Sequence, residues 1–263
     1  MSLILFDILG NLCYKLNTSP LRLREQGARR SQTASAFFYP REFQLYSSLN
    51  PRQVDRMKTY VYIDGFNLYY GAVKGTPYKW LDLAKLCALL IPKNKVIKIK
   101  YFTALVKARP GDPDQTTRQQ IYLRALRTIS GLEIIYGHFL EHRVCLPLAT
   151  SLPGKPKYAW VIKTEEKGSD VNIAAHMLND GYQGRYQVAI LISNDSDLVE
   201  PVSMIRKELG LTVGVLNPHK KPSHELLKTA TFVKPIRTGV LAASQFPLAL
   251  ADGNGIFHKP AGW

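Results

Sequence analysis

From Lys58 onward the chain alternates between short runs rich in β-branched and aromatic residues and longer amphipathic stretches. Residues 60–63, 96–106, 132–139, 188–193, 211–216 and 231–236 have the length and composition of strands. Residues 81–90, 113–130, 171–180, 198–209 and 223–230 have the spacing of helices. Strands that alternate with helices predict an α/β domain whose mostly parallel central sheet is covered on both faces. In such sheets ligands collect in the crevice outside the carboxyl ends of the strands. Chemistry-bearing residues at those ends therefore carry the most information.

Three segments fall outside the rhythm. Residues 137–161 hold Pro147, Pro153 and Pro156 without a helical period, and predict an irregular hairpin or flap. Residues 237–263 form a Pro- and Gly-containing tail expected to pack across the domain surface. Residues 1–56 are Arg-rich and Ser/Thr-rich with weak periodicity, and three readings compete: a flexible basic arm, an organelle transit peptide, or upstream sequence read from too early a start. Met57 is followed at once by a strong strand, which favours the last. The expected division is a basic N-terminal extension over 1–56, one catalytic or binding domain over 57–236, and the tail over 237–263.

Lys and Arg number 35 against 20 Asp and Glu, a formal charge of +15. Residues 57–263 keep 27 of these bases and 16 of the acids, so +11 stays with the periodic part. Such an excess predicts an anionic partner. Cys13, Cys87 and Cys145 are odd in number and widely spaced, which argues against a disulfide framework and fits a reducing, cytoplasmic compartment. The longest late apolar stretch, residues 239–251, contains Pro247 and falls short of the roughly 18 residues a membrane span requires. No membrane partner is expected, and homo-oligomerisation is left open.

Acids stand at three strand ends or helix starts. In YVYIDGFN (60–67) an apolar strand delivers Asp64 to its carboxyl end, with Gly65 allowing a sharp turn. Asp64 either satisfies turn amides or faces the crevice. In EEKGSDVN (165–172) Asp170 or Ser169 is placed to cap the helix that follows. In AILISNDSDLVE (189–200) a buried strand ends in two acids; Asp197 and Glu200 have the spacing of a capping box. Asp195 precedes that cap and is expected to point into the crevice. If the strands ending at Asp64 and Ser193 are neighbours, with the Asp170 helix start beside them, the carboxylates converge. Converging like charges raise one another's pKa or recruit a cation, and hard oxygen ligands select Mg²⁺ or Mn²⁺ over Zn²⁺. A divalent ion in a basic surround suits phosphodiester hydrolysis. Lys167 either holds a phosphate or is a solvated surface lysine, and Asn67 either contacts the metal's water shell or substrate, or caps the next helix.

The motifs YVYIDGFNLYY (60–70), EEKGSDVNIAAHML (165–178) and ILISNDSDLVEPV (190–202) together resemble the NYN domain family of PIN-like nucleases, in particular its LabA-like branch. The resemblance covers the chain from about Met57 to the tail. It implies a PIN-like three-layer α/β/α fold, an acidic cluster binding Mg²⁺ or Mn²⁺, and ribonuclease activity on RNA. By motif, Asp64, Asp170, Asp195 and Asp197 carry over as catalytic and metal-binding acids, and Asn67 as a supporting polar residue. Asn194 departs from the pattern, standing where many relatives carry Gly. Asn tolerates a left-handed turn best among the other residues, so the acids are expected to keep their places.

Further candidates have competing explanations. Lys93, Lys95, Lys98, Lys100, Arg118, Arg124 and Arg127 form either a phosphate-tracking rim or an ordinary solvated surface. The turn holding His219, Lys220 and Lys221 follows a strand at the carboxyl edge, so Lys220 and Lys221 are the strongest rim candidates. Tyr69, Tyr70, Tyr158 and Trp160 are able to stack on bases, but core packing is the preferred reading. His138, His142 and Cys145 lack a fourth zinc ligand. The chain holds no GxxxxGK[ST] loop, no GxGxxG after a strand and no GxSxG elbow. Three possibilities remain: a metal-dependent ribonuclease, a non-catalytic RNA-binding or regulatory module, and a DNA-directed nuclease. The first is preferred, because a pure phosphate binder gains nothing from four buried negative charges.

Overall fold

The computed structural model describes residues 56–109, 111–150 and 157–263. The extension expected over residues 1–56 lies, Arg56 apart, outside the described residues. In chain order the domain runs β1 (Lys58–Asp64), α1 (Gly65–Leu68), a π-helical turn (Tyr69–Val73), α2 (Leu83–Leu90), β2 (Lys95–Thr103), α3 (Gln115–Arg127) and β3 (Leu132–Tyr136). An excursion follows, β4 (His138–Pro147) and β5 (Tyr158–Lys167), before α4 (Ser169–Tyr182), β6 (Val188–Ile192), α5 (Val199–Lys207), β7 (Thr212–Asn217), α6 (His224–Thr229) and β8 (Phe232–Pro235).

Six strands form one all-parallel sheet in the order β3-β2-β1-β6-β7-β8. Successive side chains of a strand point to opposite faces, and here both faces are apolar. Val61, Ile63, Ile190 and Ile192 pack on one side against Leu83, Leu86, Leu123 and Leu126 of α2 and α3. Tyr62, Ala189, Leu191, Val213 and Val215 pack on the other against Ile173, Met177, Val202, Ile205 and Leu226 of α4, α5 and α6. Each fully buried aliphatic side chain contributes roughly 1.5–3 kcal/mol through removal from water. The mixed α/β class with a parallel sheet, expected from the alternation, is what the chain adopts, and the layering is that of a PIN-like fold.

The tail adds α7 (Thr238–Ala243) and the hairpin β9 (Ala249–Asp252) with β10 (Gly255–His258). It lies over the α2–α3 side: Leu241, Phe246 and Phe257 are buried there, and the Trp80 indole N–H donates to the Pro247 carbonyl at 2.7 Å.

Between residues 132 and 170 the structure departs from the expected pattern. The strand expected over 132–139 stops at Tyr136. Gly137 takes the break because a Cβ there would stand 2.5 Å from Glu166 Oε1 and 2.7 Å from the Lys167 carbonyl. The flap expected to be irregular is a regular antiparallel ladder, running from His138 opposite Lys167 to Pro147 opposite Tyr158. Its tip, with Pro153 and Pro156, lies outside the described residues. Glu165, Glu166 and Lys167 end β5 and do not open the helix; Gly168, at φ +94°, turns the chain into α4.

Candidate metal-binding acidic site

The order of the sheet reverses between β1 and β6, which pair in parallel from Thr59 with Val188 to Ile63 with Ile192. The crevice at such a reversal is open at the carboxyl ends of the two strands. Asp64 ends β1, and the turn holding Ser193, Asn194 and Asp195 leaves β6 beside it.

Asp64 is buried, with 6% of its surface exposed. Its Oδ1 accepts the Asn67 backbone N–H at 2.9 Å, capping α1, and its Oδ2 accepts the Ser193 hydroxyl at 3.2 Å. The turn-capping reading of this residue holds: one oxygen serves the turn and the other holds Ser193, and Asp64 is not among the acids whose oxygens converge. Burial pushes the Asp64 carboxyl up to about 6; the charges of Asp170 and Asp195 add to the rise, and the bonds from Asn67 and Ser193 oppose it. Gly65 is required for close packing and not for a left-handed turn, since it lies inside α1. A Cβ there would meet the Phe102 carbonyl and the Tyr101 ring at 2.7 Å.

Oxygens of Asp170, Asp195 and Asp197 lie within 4.8 Å of one another. Burial, then the charges of Asp195, Glu166 and Asp197, push the Asp170 carboxyl up to about 6. Among the described residues no Lys or Arg pairs with any of the three. The set fits a hard divalent ion: all donors are carboxylate oxygens, and two oxygens across one Mg²⁺ stand about 4.2 Å apart, twice the 2.1 Å ligand distance. The capping assignment at this turn is reversed from expectation. Asp195 is the cap of the 3₁₀ turn Ser196–Leu198, accepting the Asp197 N–H at 3.0 Å, while α5 begins at Val199 without a side-chain cap. Neither Asp170 nor Ser169 caps α4. Its cap position is Gly168, and Glu166 instead accepts the Ser169 hydroxyl at 2.7 Å.

Asn67 Oδ1 accepts the Asn194 backbone N–H at 2.9 Å. Asn194 itself ties the acidic turn to the loop after β7: its amide donates to the Lys221 carbonyl at 3.1 Å and accepts the Ser223 N–H at 2.6 Å. Lys220 and Lys221, both exposed, thus belong to the rim of this edge. Lys167 lies 3.3 Å from Glu165 at the end of β5.

The wider basic rim is not assembled. Lys95 faces Lys58 at the amino end of β1, whereas Asp64 faces Phe102, so Lys93 and Lys95 belong to the opposite edge. Lys100 is buried, its ammonium 2.6 Å from Asp180 and 3.0 Å from His176 Nδ1. Lys98 pairs with Glu133, Arg118 with Asp112, and Arg124 with Asp252 over the Phe257 ring; Arg127 donates to the Tyr136 hydroxyl. The preference for core packing of the four aromatics also fails: Tyr69, Tyr70, Tyr158 and Trp160 are all exposed. Two further residues belong to the site. Ser193 and Glu166 sit within its motifs, but their roles depend on contacts across the sheet and across Gly168 that spacing does not reveal.

A parallel α/β/α sheet with uncompensated acids at its reversal point defines a PIN-like domain. The NYN domain family matches residues 58–236, and the chain belongs to that family. It is 32% identical over 238 residues to the 6-hydroxy-3-succinoylpyridine 3-monooxygenase HspA of Pseudomonas putida (strain DSM 28022 / S16), covering 79% of this chain and 75% of that protein. Among solved structures it is similar to a protein of unknown function, VPA0982, from Vibrio parahaemolyticus RIMD 2210633, with a TM-score of 0.45 and 20% identity over 70% of this chain and 94% of the other. No helix among the described residues is long and apolar enough to cross a membrane.

Proposed function

We propose that this chain is a metal-dependent ribonuclease of the LabA-like branch, acting in the cytoplasm, that hydrolyses RNA phosphodiester bonds at the carboxyl edge of its sheet. The reading is carried by one observation: the oxygens of Asp170, Asp195 and Asp197 converge within 4.8 Å with no cationic side chain among the described residues to neutralise them. Mg²⁺ or Mn²⁺ would be held by Asp170, Asp195 and Asp197, beside Asp64, and would supply a water of lowered pKa and neutralise charge on the phosphate oxygens. In hydrolysis a water oxygen bonds to phosphorus, the bond to the leaving oxygen breaks, and that oxygen gains a proton. Asp64, with its carboxyl at about 6, ionises near neutral pH and is suited to receive a proton from the attacking water. Asn67 fixes the turn that carries Asp195, Lys220 and Lys221 meet phosphates at the rim, and Lys167 supplies positive charge beside Glu165.

The decisive measurement is cleavage of a labelled single-stranded RNA by the full chain with Mg²⁺ or Mn²⁺ and with EDTA. Metal-dependent product is expected. Salt-sensitive RNA binding without product would leave a non-catalytic RNA-binding module. The identity to HspA favours a second reading, hydroxylation of a substituted pyridine. That reaction consumes O₂ and two electrons, so O₂ uptake with 6-hydroxy-3-succinoylpyridine and a two-electron reductant, without RNA cleavage, would replace the nuclease reading. The all-oxygen donor set speaks for the nuclease, because redox-active metals at oxygenase centres take imidazole ligands as well.

A further inference from the structure

Tyr158, Trp160 and Ile162 share one face of the β4–β5 ladder and are 60%, 69% and 67% exposed. A two-stranded ribbon is marginally stable on its own, and large side chains held this far into water mark a binding face. The same face continues through Thr164 to Glu166, with Phe139 directly across from Glu166. Phe139 stands edge-to-face on Phe66, with ring centroids 5.6 Å apart, and Phe66 follows Asp64 by two residues. Glu166 in turn bonds Ser169 and adds its charge at Asp170. One uninterrupted strand face thus leads from the exposed rings to the acids, the six residue steps from Trp160 to Glu166 spanning roughly 20 Å.

The chemistry of that face selects its occupant. Rings at alternate strand positions stand about 6.6 Å apart, an arrangement on which splayed bases stack and the paired bases of a duplex do not. The ladder's acids are engaged: Glu141 by Lys107 at 3.3 Å, Glu165 by Lys163 and Lys167, and Glu166 by Ser169. Arg143, across from Ile162 and diagonal to Trp160, has no acidic partner among the described residues. The outer part of the face, away from Glu166, therefore presents aromatic surface beside one unpaired guanidinium, which suits a polyanion carrying unpaired bases.

We infer that the β4–β5 arm is a binding track for single-stranded RNA, on which bases stack over Tyr158 and Trp160 and which leads the strand to the acidic site. The inference rests on the nuclease reading for its direction, but its test does not. Binding of the full chain to a fluorescent single-stranded oligoribonucleotide and to the same sequence in a duplex is measured by anisotropy in EDTA, where no cleavage occurs. Tyr158→Ala and Trp160→Ala are each expected to weaken single-strand binding at least fivefold, an effect of about 1 kcal/mol, with duplex binding and the melting temperature unchanged. Unaltered single-strand affinity in both variants, with metal-dependent cleavage intact, overturns the track and leaves the nuclease standing. Weakened affinity in the variants of a protein that never cleaves RNA supports the track and overturns the nuclease. A change of oligomeric state in the variants with unaltered RNA affinity overturns the track in favour of a second copy of this chain on that face.

Discussion

Asn67 Oδ1 accepts the backbone N–H of Asn194 at 2.9 Å, joining the end of β1 to the turn after β6. Its own backbone N–H donates to Asp64 at 2.9 Å, so one residue fixes two of the acids relative to each other. Asn67→Ala keeps the second bond and removes the first. Loss of such an orienting contact is expected to weaken Mn²⁺ binding roughly 10–100-fold, with a stability loss of only about 1 kcal/mol. Calorimetric titration with Mn²⁺ alongside thermal melting checks this. Wild-type Mn²⁺ affinity in the variant would show that the turn is held without the side chain.

Asp195 serves two purposes, as a member of the acidic cluster and as the cap that accepts the Asp197 N–H. Asn caps as well as Asp does, whereas Ala loses about 1 kcal/mol. Asp195→Asn is therefore expected to abolish metal-dependent cleavage with melting temperature and RNA affinity near wild type, and Asp195→Ala to abolish it with a lower melting temperature. Cleavage by Asp195→Asn at the wild-type rate would remove this residue from the chemistry.

How far the sequence revealed this molecule depended on which interactions are local. The parallel sheet was legible because β1 and β6 are apolar on both faces, a pattern that only a doubly covered strand produces. That Asp64 ends the strand beside the turn holding Asp195 follows from strand order alone, whereas the oxygens that converge are those of Asp170, Asp195 and Asp197. Capping was misassigned because Asp195 and Asp197 are both spaced to cap, and the choice between them rests on the 3₁₀ turn at Ser196. The arm was misread for a different reason. Tyr158 and Trp160 have core-forming composition, but among the described residues β5 pairs with β4 alone, and their side chains are exposed. The burial of Lys100 is not legible in the sequence, because a buried lysine shows itself only through its partner, and Asp180 lies eighty residues away.

That pair sits in a buried network on the α4 side of the sheet. Asp180, with no exposed surface, accepts from Lys100 at 2.6 Å, Tyr62 at 2.8 Å and Arg185 at 2.7 Å. Burial raises its carboxyl, but the bonds from Lys100, Tyr62 and Arg185 outweigh it and hold the group below the usual carboxylate range. Removing one member of a buried pair leaves an uncompensated charge and destabilises by about 3–5 kcal/mol. Lys100→Met is expected to show a loss of that order in denaturant melts. Asp180 lies ten residues along α4 from Asp170, roughly 15 Å, so cleavage per folded molecule at low temperature is expected to stay unchanged. A selective loss of cleavage would place the network in the site's support.

Asp64 and Asp170 give the site a pH signature of definite sign. Both carboxyls are raised from 3.8 to about 6, chiefly by burial. A group whose folded pKa lies above its unfolded value holds its proton more tightly when folded, so the metal-free protein is stabilised below about pH 4 and loses that contribution as pH rises through about 6. Metal binding runs the other way, because only the ionised carboxylates serve as ligands. Metal-dependent cleavage is therefore expected to fall as pH drops through about 6, while the melting temperature in EDTA, taken as wild type minus the Asp64→Asn, Asp170→Asn double variant, rises over the same interval. The subtraction cancels other titrating groups, among them His176, whose burial and neighbouring Lys100 lower its pKa and oppose the trend. A flat difference between pH 4 and pH 7 would mean that these two carboxyls titrate in the ordinary range, and that the acids neither crowd one another nor require a cation to converge.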